Sequence, residues 1–262
     1  MLIYEPKGKA REYSPLALNV YSGGCDHGCK YCYCANIQRG WTKSPRTREL
    51  GTLRREAINS SRQILLSFMA DPYCKIELTE KATRKSLEIL KGEECSVAIL
   101  TKGGTRCLRD LDLFSEWPDG RIKIGATLTF VSKEKIKIWE PGAASFRERI
   151  SALEELNDAG VNTWASIEPV IDPIESLSAI RESLFCVDAY KVGKWNHDKR
   201  ASEINWREFG YSAVELIRKA GKQLYVKKDL QPYFDDGYLV PSEIDMESMS
   251  LPDRPPSKQI WF

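Results

Sequence analysis

No run in this 262-residue chain approaches the roughly eighteen apolar residues of a membrane-spanning helix. The opening Met1-Leu2-Ile3-Tyr4-Glu5-Pro6 has no basic start and no apolar core, so nothing marks it for export. The expected location is the cytoplasm. Internal repeats are absent, and no composition shift marks a second domain. Zinc-finger and helix-turn-helix patterns are absent too, which excludes duplex reading by those modules. The net charge is only +2, so a local basic patch, not the total, must decide whether nucleic acid is a partner. Finally, no second C-x2-C pair follows the first cysteines. Structural zinc commonly uses two such separated pairs to pin distant segments.

What is present starts with eight cysteines, a number that implies a reducing compartment in a chain without a leader. Three of them define the most informative stretch, Cys25-Asp26-His27-Gly28-Cys29-Lys30-Tyr31-Cys32, at spacing C-x3-C-x2-C. Ser22-Gly23-Gly24 joins this loop to an apolar run, Leu16 to Tyr21, and paired glycines allow a sharp turn. Three thiols this close converge on a metal or a cluster, or they form disulfides; with no signal peptide and the other cysteines scattered, a disulfide framework is the weaker reading. A closed zinc or iron–sulfur site takes four protein ligands, whereas three thiolates on a four-iron cube leave one iron open to a small molecule. Zinc stays in play because His27 or Cys34 could supply a fourth ligand.

The spacing, with Tyr31 as the aromatic before the last cysteine, resembles the signature of the radical S-adenosylmethionine (SAM) superfamily. The resemblance implies a 4Fe-4S cluster on Cys25, Cys29 and Cys32. It also implies SAM bound at the open iron, Tyr31 near the adenine, and reductive cleavage of the cofactor to a 5′-deoxyadenosyl radical. A one-electron donor of flavodoxin or ferredoxin type is implied as a partner.

Along the chain, residues 1–15 read as a polar N-terminal arm. Strands are expected at 16–21, 64–69, 97–101, 122–129, 162–170 and 187–192, with a short seventh at 223–226. Helices are expected at 53–62, 79–91 and 107–116. Three more open at Ser145-Phe146-Arg147-Glu148 (a capping box), Asp172-Pro173-Ile174-Glu175, and Asn205-Trp206-Arg207-Glu208. Alternation of this kind gives parallel βαβ units. The fold class is α/β, an open partial (β/α)6-type TIM barrel over residues 16–230. The chemistry of such barrels sits at the carboxyl ends of the strands, and the cluster loop falls on that rim. From 231 to 262 prolines break the pattern into an irregular C-terminal tail. It is expected to pack on the barrel, its Ile260-Trp261-Phe262 end included.

Further strand ends look like the spore photoproduct lyase-like (DNA repair photolyase-like) branch of that superfamily. They are Asp71-Pro72-Tyr73 with Glu77, Thr101-Lys102 with Arg109-Asp110, Glu140-Pro141-Gly142 with Arg149, and Glu168-Pro169. Lys191 to His197 and Val226 to Leu230 fit as well. The resemblance implies that Lys102 neutralises the cofactor carboxylate and that Thr127 faces the cofactor. Asp71 would accept from the ammonium or ribose, Arg149 would reach the methionine end, and Glu168 would contact ribose or a polar group of the substrate. Tyr33 matches a tyrosine assigned to hydrogen-atom relay. The branch's donor cysteine is missing: Met69-Ala70 precede Asp71, and Cys74 is the candidate replacement.

A nucleic-acid or nucleotide substrate has support in Lys191, Lys194, His197, Lys199 and Arg200, interleaved with Trp195 and followed by Trp206. Cations that meet phosphates beside aromatics that stack bases suit an extruded nucleotide. The other reading of the same residues is a solvated loop over core tryptophans. The alternative function class for the whole chain is a non-catalytic zinc-binding interaction module.

Overall fold

The computed structural model describes residues 1–37 and 40–254. The expectation for Ile260 to Phe262 falls outside the described residues. Ten strands are present among them: β1 (Ile3–Tyr4), β2 (Leu16–Leu18), β3 (Tyr21–Ser22), β4 (Arg46–Thr47), β5 (Ile64–Leu66), β6 (Val97–Thr101), β7 (Ile122–Thr127), β8 (Asn162–Ile167), β9 (Ala189–Val192) and β10 (Gln223–Val226). Eight share one sheet in the order β1-β2-β5-β6-β7-β8-β9-β10. From β2 to β10 every pairing is parallel; β1 alone is antiparallel, outside β2. Seven parallel strands in chain order, with helices between them, make the open (β/α) barrel that the alternation implied. β3 and β4 form a small ribbon of their own beside the cluster loop.

The capping signals act as read. Ser145 and Glu148 close a reciprocal box on the helix Phe146–Asp158. Asp172 accepts from the N–H groups of Ile174 and Glu175 ahead of Pro173–Ser183. Asn205 caps Trp206–Lys219. The helix Lys133–Trp139, capped by Ser132, has no counterpart in the sequence reading. Residues 107–116 are a 3-10 turn, Gly104–Asp110, followed by a short helix, Leu111–Ser115.

Several strands stop two or three residues early, for a common reason: the backbone leaves the ladder to build the rim. Past β5, the N–H groups of Phe68 and Met69 donate instead to the Asn19 side chain, at 2.9 and 3.0 Å. Inside the barrel Leu65, Ala98, Trp164, Ala189, Tyr225 and Met249 form a compact apolar cluster of their own. Trp164 donates its indole N–H to the Ile99 carbonyl at 3.0 Å, which satisfies a polar group buried at the centre.

The arm is more than a lead-in. Besides β1, it forms a 3-10 turn, Gly8–Glu12, that bonds to the far edge of the sheet. The Glu12 carboxylate accepts from the Tyr225 hydroxyl at 2.7 Å and the Lys228 N–H at 2.8 Å, and its carbonyl accepts from Lys191 Nζ at 2.6 Å. Lys9 reaches Asp229 and Asn196. The arm therefore spans the gap between β2 and β10. The described part of the tail packs beneath the barrel. Lys123 Nζ donates to the Met249 carbonyl, Leu251 N–H bonds Gln63 at 2.9 Å, and Arg11 and Arg62 share Glu247.

Candidate active site

The carboxyl ends of the parallel strands open on one cavity of about 760 Å³. The cluster loop enters it from above β2, tied down by backbone bonds. Cys25 N–H bonds the Thr42 carbonyl (3.2 Å), Lys30 N–H the Trp139 carbonyl (2.8 Å), and Gly142 N–H the His27 carbonyl (2.8 Å). A side chain at position 142 would run into the Asp26 carbonyl, so only glycine allows this approach.

Cys25, Cys29 and Cys32 are all free thiols, partly exposed, and all line the cavity. Their environments differ. Burial and the Asp71 charge push the Cys25 thiol up to about 12. Burial pushes Cys29 up to about 11 against the pull of Lys102. Cys32 is lowered to about 6, first by the hydrogen bond from Cys34, with Lys102 adding to it. Soft thiolate donors of this kind suit iron–sulfur or zinc ligation. Among the described residues, however, no three His, Cys, Asp or Glu side chains converge tightly enough to hold a single metal ion. Of the two fourth ligands that a zinc reading could use, His27 is held by other partners and Cys34 lies beside Cys32. His27 is buried, with Nε2 2.9 Å from Arg106 Nη2 and Nδ1 3.4 Å from Asp71. Cys34 is buried against the Phe68 carbonyl.

Lys102 stands beside the thiols. Its N–H donates to Asp71 at 2.6 Å. Its ammonium lies 5.6 Å from the centre of the Tyr31 ring and has no hydrogen bond to another described residue. Burial works to lower its pKa, but Cys29, Glu140 and Asp71 outweigh that, so it stays charged. Thr127, the last residue of β7, lies on the same wall. Asp71 lines the cavity as expected, but its oxygens already accept from the Thr101 hydroxyl (2.5 Å), Tyr73 N–H (2.8 Å) and Lys102 N–H (2.6 Å). Burial favours its neutral form, yet His27 and these donors hold its pKa below the usual value.

Two expected site residues stand elsewhere. Arg149 is wholly buried and outside the cavity wall. Its guanidinium is spent on Glu140 (2.5 Å), the Thr127 carbonyl (2.8 Å) and the Ala144 carbonyl (3.0 Å). Glu140 also accepts from the Tyr31 hydroxyl. Arg149 thus braces Tyr31 and Thr127 from behind the cavity wall. Cys74 is fully buried in the apolar core around Cys25 and does not line the cavity. Tyr33 does line it, 39% exposed, with its hydroxyl 3.2 Å from the Phe68 carbonyl.

Glu168 is the hub of the opposite wall. It accepts from Tyr13 (2.6 Å), Lys227 (2.5 Å) and Asn196 (3.1 Å). A Cβ at Gly193 would sit 2.9 Å from Lys227 and 3.0 Å from Glu168, so this glycine lets the pair close. Tyr13 was not legible in the sequence, because it sits in a polar arm with no strand or motif around it. The basic–aromatic patch is rearranged as well. Lys191 is buried inside the barrel, Trp195 and Trp206 belong to the core, and Arg200 pairs with Asp198. Trp195 still lines the cavity, with the Arg200 guanidinium 4.8 Å from its ring centre.

A sequence model of the Radical SAM superfamily matches residues 19–187, which contain the cluster loop, Lys102 and Thr127. The chain belongs to the radical SAM superfamily. An uncharacterized protein of Methanocaldococcus jannaschii is 31% identical to this radical SAM protein over 160 residues, covering 59% of this chain. The chain spans about 60% of the length of that curated relative. Among solved structures, spore photoproduct lyase complexed with dinucleoside spore photoproduct superposes with a TM-score of 0.65 at 14% identity, over 82% of this chain and 76% of that one. SuiB of Streptococcus suis, bound to S-adenosylmethionine, gives 0.63 at 11%, over 86% and 53%. At these identities the likeness is one of fold, the radical SAM partial barrel.

Proposed function

We propose that this chain holds a 4Fe-4S cluster on Cys25, Cys29 and Cys32, binds SAM beside it, and abstracts hydrogen from an organic substrate in the same cavity. One observation carries the reading: the unpartnered Lys102 ammonium on the wall that presents the three thiols. A half-buried cation that makes no ion pair among the described residues is open to a ligand carboxylate, which satisfies it. Bound together, cluster and SAM supply a 5′-deoxyadenosyl radical after one-electron reduction by a flavodoxin- or ferredoxin-type donor. The chain's own residues do the rest. Asp71 fixes the backbone that carries Lys102. Arg149 and Glu140 set the Tyr31 ring. Phe68, Met69 and Leu100 give part of the cavity an apolar lining.

Thymine-photoproduct repair is not part of this proposal. The relative's printed ligand is a dinucleoside photoproduct, and Tyr33 is in place here, but Met69-Ala70 stand where the branch carries its donor cysteine and Cys74 is outside the cavity. The substrate is a different one, of nucleotide or nucleic-acid class. Anaerobically purified protein is expected to be brown, to carry about four irons, and to release 5′-deoxyadenosine from SAM under a strong reductant. Colourless protein with one zinc, or a loaded cluster that yields no 5′-deoxyadenosine, overturns the reading.

A further inference from the structure

The cavity has two walls of different chemistry. The thiols, Tyr31, Asp71, Lys102 and Thr127 make the first. The arm and the ends of β8, β9 and β10 make the second, with Lys7, Lys9, Tyr13, Glu168, Lys194, His197 and Lys227. Lys9 ties these parts together by reaching both Asn196 and Asp229.

Charge on the second wall does not balance. Lys9 is paired with Asp229, and Lys227 with Glu168. Among the described residues the acids here are Glu168, which three donors already hold, and Asp229, which Lys9 and Asn196 hold. Lys7 is exposed and has no partner among the described residues. Lys194 donates only to a neutral group, the Tyr233 hydroxyl at 2.7 Å, over the Tyr233 and Trp206 rings. His197 is exposed on the same stretch. The same cavity is lined by two aromatic rings, Tyr13 and Phe68, which meet edge to face at 6.0 Å, with Lys227 Nζ 4.4 Å from the centre of the Tyr13 ring.

We propose that the second wall is a subsite for a phosphate-bearing ring compound, a mononucleotide or a nucleotide at a strand end. Its phosphate lies among Lys7, Lys194 and His197, and its ring lies against Tyr13 and Phe68. This assignment rests on reading the first wall as the cofactor's side, and it narrows the substrate class to ligands whose recognition needs the phosphate. Lys7 and Lys194 are the specificity-determining residues. Both come from outside the cluster loop, so changing them leaves the first wall intact.

The test is a binding titration of the full chain, with SAM present, against thymidine 5′-monophosphate, thymidine and inorganic phosphate at about 50 and about 200 mM salt. The nucleotide is expected to bind at least about tenfold tighter than thymidine or phosphate, and more weakly at the higher salt. Lys7→Gln and Lys194→Gln should each lower nucleotide affinity by roughly fivefold or more, with thymidine unaffected, while Lys219→Gln, on a distant helix end, changes nothing. Equal binding of nucleotide and nucleoside, equal binding of nucleotide and free phosphate, wild-type affinity in both lysine variants, or no binding overturns the assignment. Iron content and SAM binding are measured on the same samples. If iron fails to load, the reading of the first wall falls, and the nucleotide titration, which needs no cluster, still decides this one.

Discussion

The Tyr13 hydroxyl donates to the Glu168 carboxylate at 2.6 Å, across 155 positions of chain. Lys227, at the end of the last strand, closes on the same oxygen. Three segments that enter the barrel at its beginning, middle and end therefore meet on one acid. This junction makes the arm part of the cavity wall, and it explains why a polar stretch with no motif of its own lines a site that also holds the cysteines.

The cysteines make the first prediction. Cys25→Ala, Cys29→Ala and Cys32→Ala should each abolish iron binding after anaerobic reconstitution. Cys34→Ala should keep it, because Cys34 is buried against the Phe68 carbonyl. The readout is iron per chain together with the visible spectrum; normal iron in Cys29→Ala would falsify the ligand assignment.

Lys102→Ala should load its cluster and bind SAM weakly. Loss of a charge-assisted contact to a carboxylate is worth about 1.5–3 kcal/mol, roughly ten- to 150-fold in Kd. An anaerobic titration that gives wild-type affinity would remove Lys102 from the cofactor's side.

Arg149→Met should destabilise the fold by about 3–5 kcal/mol, since it strands the buried Glu140 carboxylate and two carbonyls. Adding Glu140→Gln should recover part of that loss, because the stranded charge is then gone. Denaturant unfolding of the single and double variants checks this. A loss well under 1 kcal/mol for the single change would mean that the guanidinium is replaceable by water.

Much of this was legible because strong local signals agreed with the global pattern. Capping residues at Ser145, Asp172 and Asn205, and apolar runs of strand length, gave the barrel. The C-x3-C-x2-C spacing gave the first wall. What escaped is non-local. The sequence does not say that Arg149 turns inward to Glu140, that Trp195 and Trp206 pack into the core, or that Cys74 is buried in the core. Those outcomes depend on which face of each element meets the sheet. Tyr13 escaped for the same reason, since its partners lie in β8 and just beyond it, at Ser166 and Glu168.

Buried cations supply a pH prediction. Lys123 points into the barrel, and burial lowers its pKa to about 7. The unfolded chain holds that proton up to the ordinary lysine value near 10.4. Between pH 7 and that value the unfolded state binds more protons, so the lysine makes stability rise with pH across this window. Lys123→Met removes the rise. Its thermal midpoint, relative to wild type, should be highest at pH 6–7 and should fall toward pH 10. A constant difference across that range would show that Lys123 is not forced neutral by the fold.

The sheet's order carries a consequence for synthesis. Each parallel strand pairs with the one made just before it, so the barrel can grow as the chain leaves the ribosome. The arm is the exception. It is made first, yet its anchors at Tyr225 and Lys228 are made 213 and 216 positions later. A nascent or truncated chain can display its cysteine loop long before the second wall exists to shield what happens there. The arm finds these anchors only once the chain has been made through Lys228, so the cysteine loop exists long before the wall that faces it.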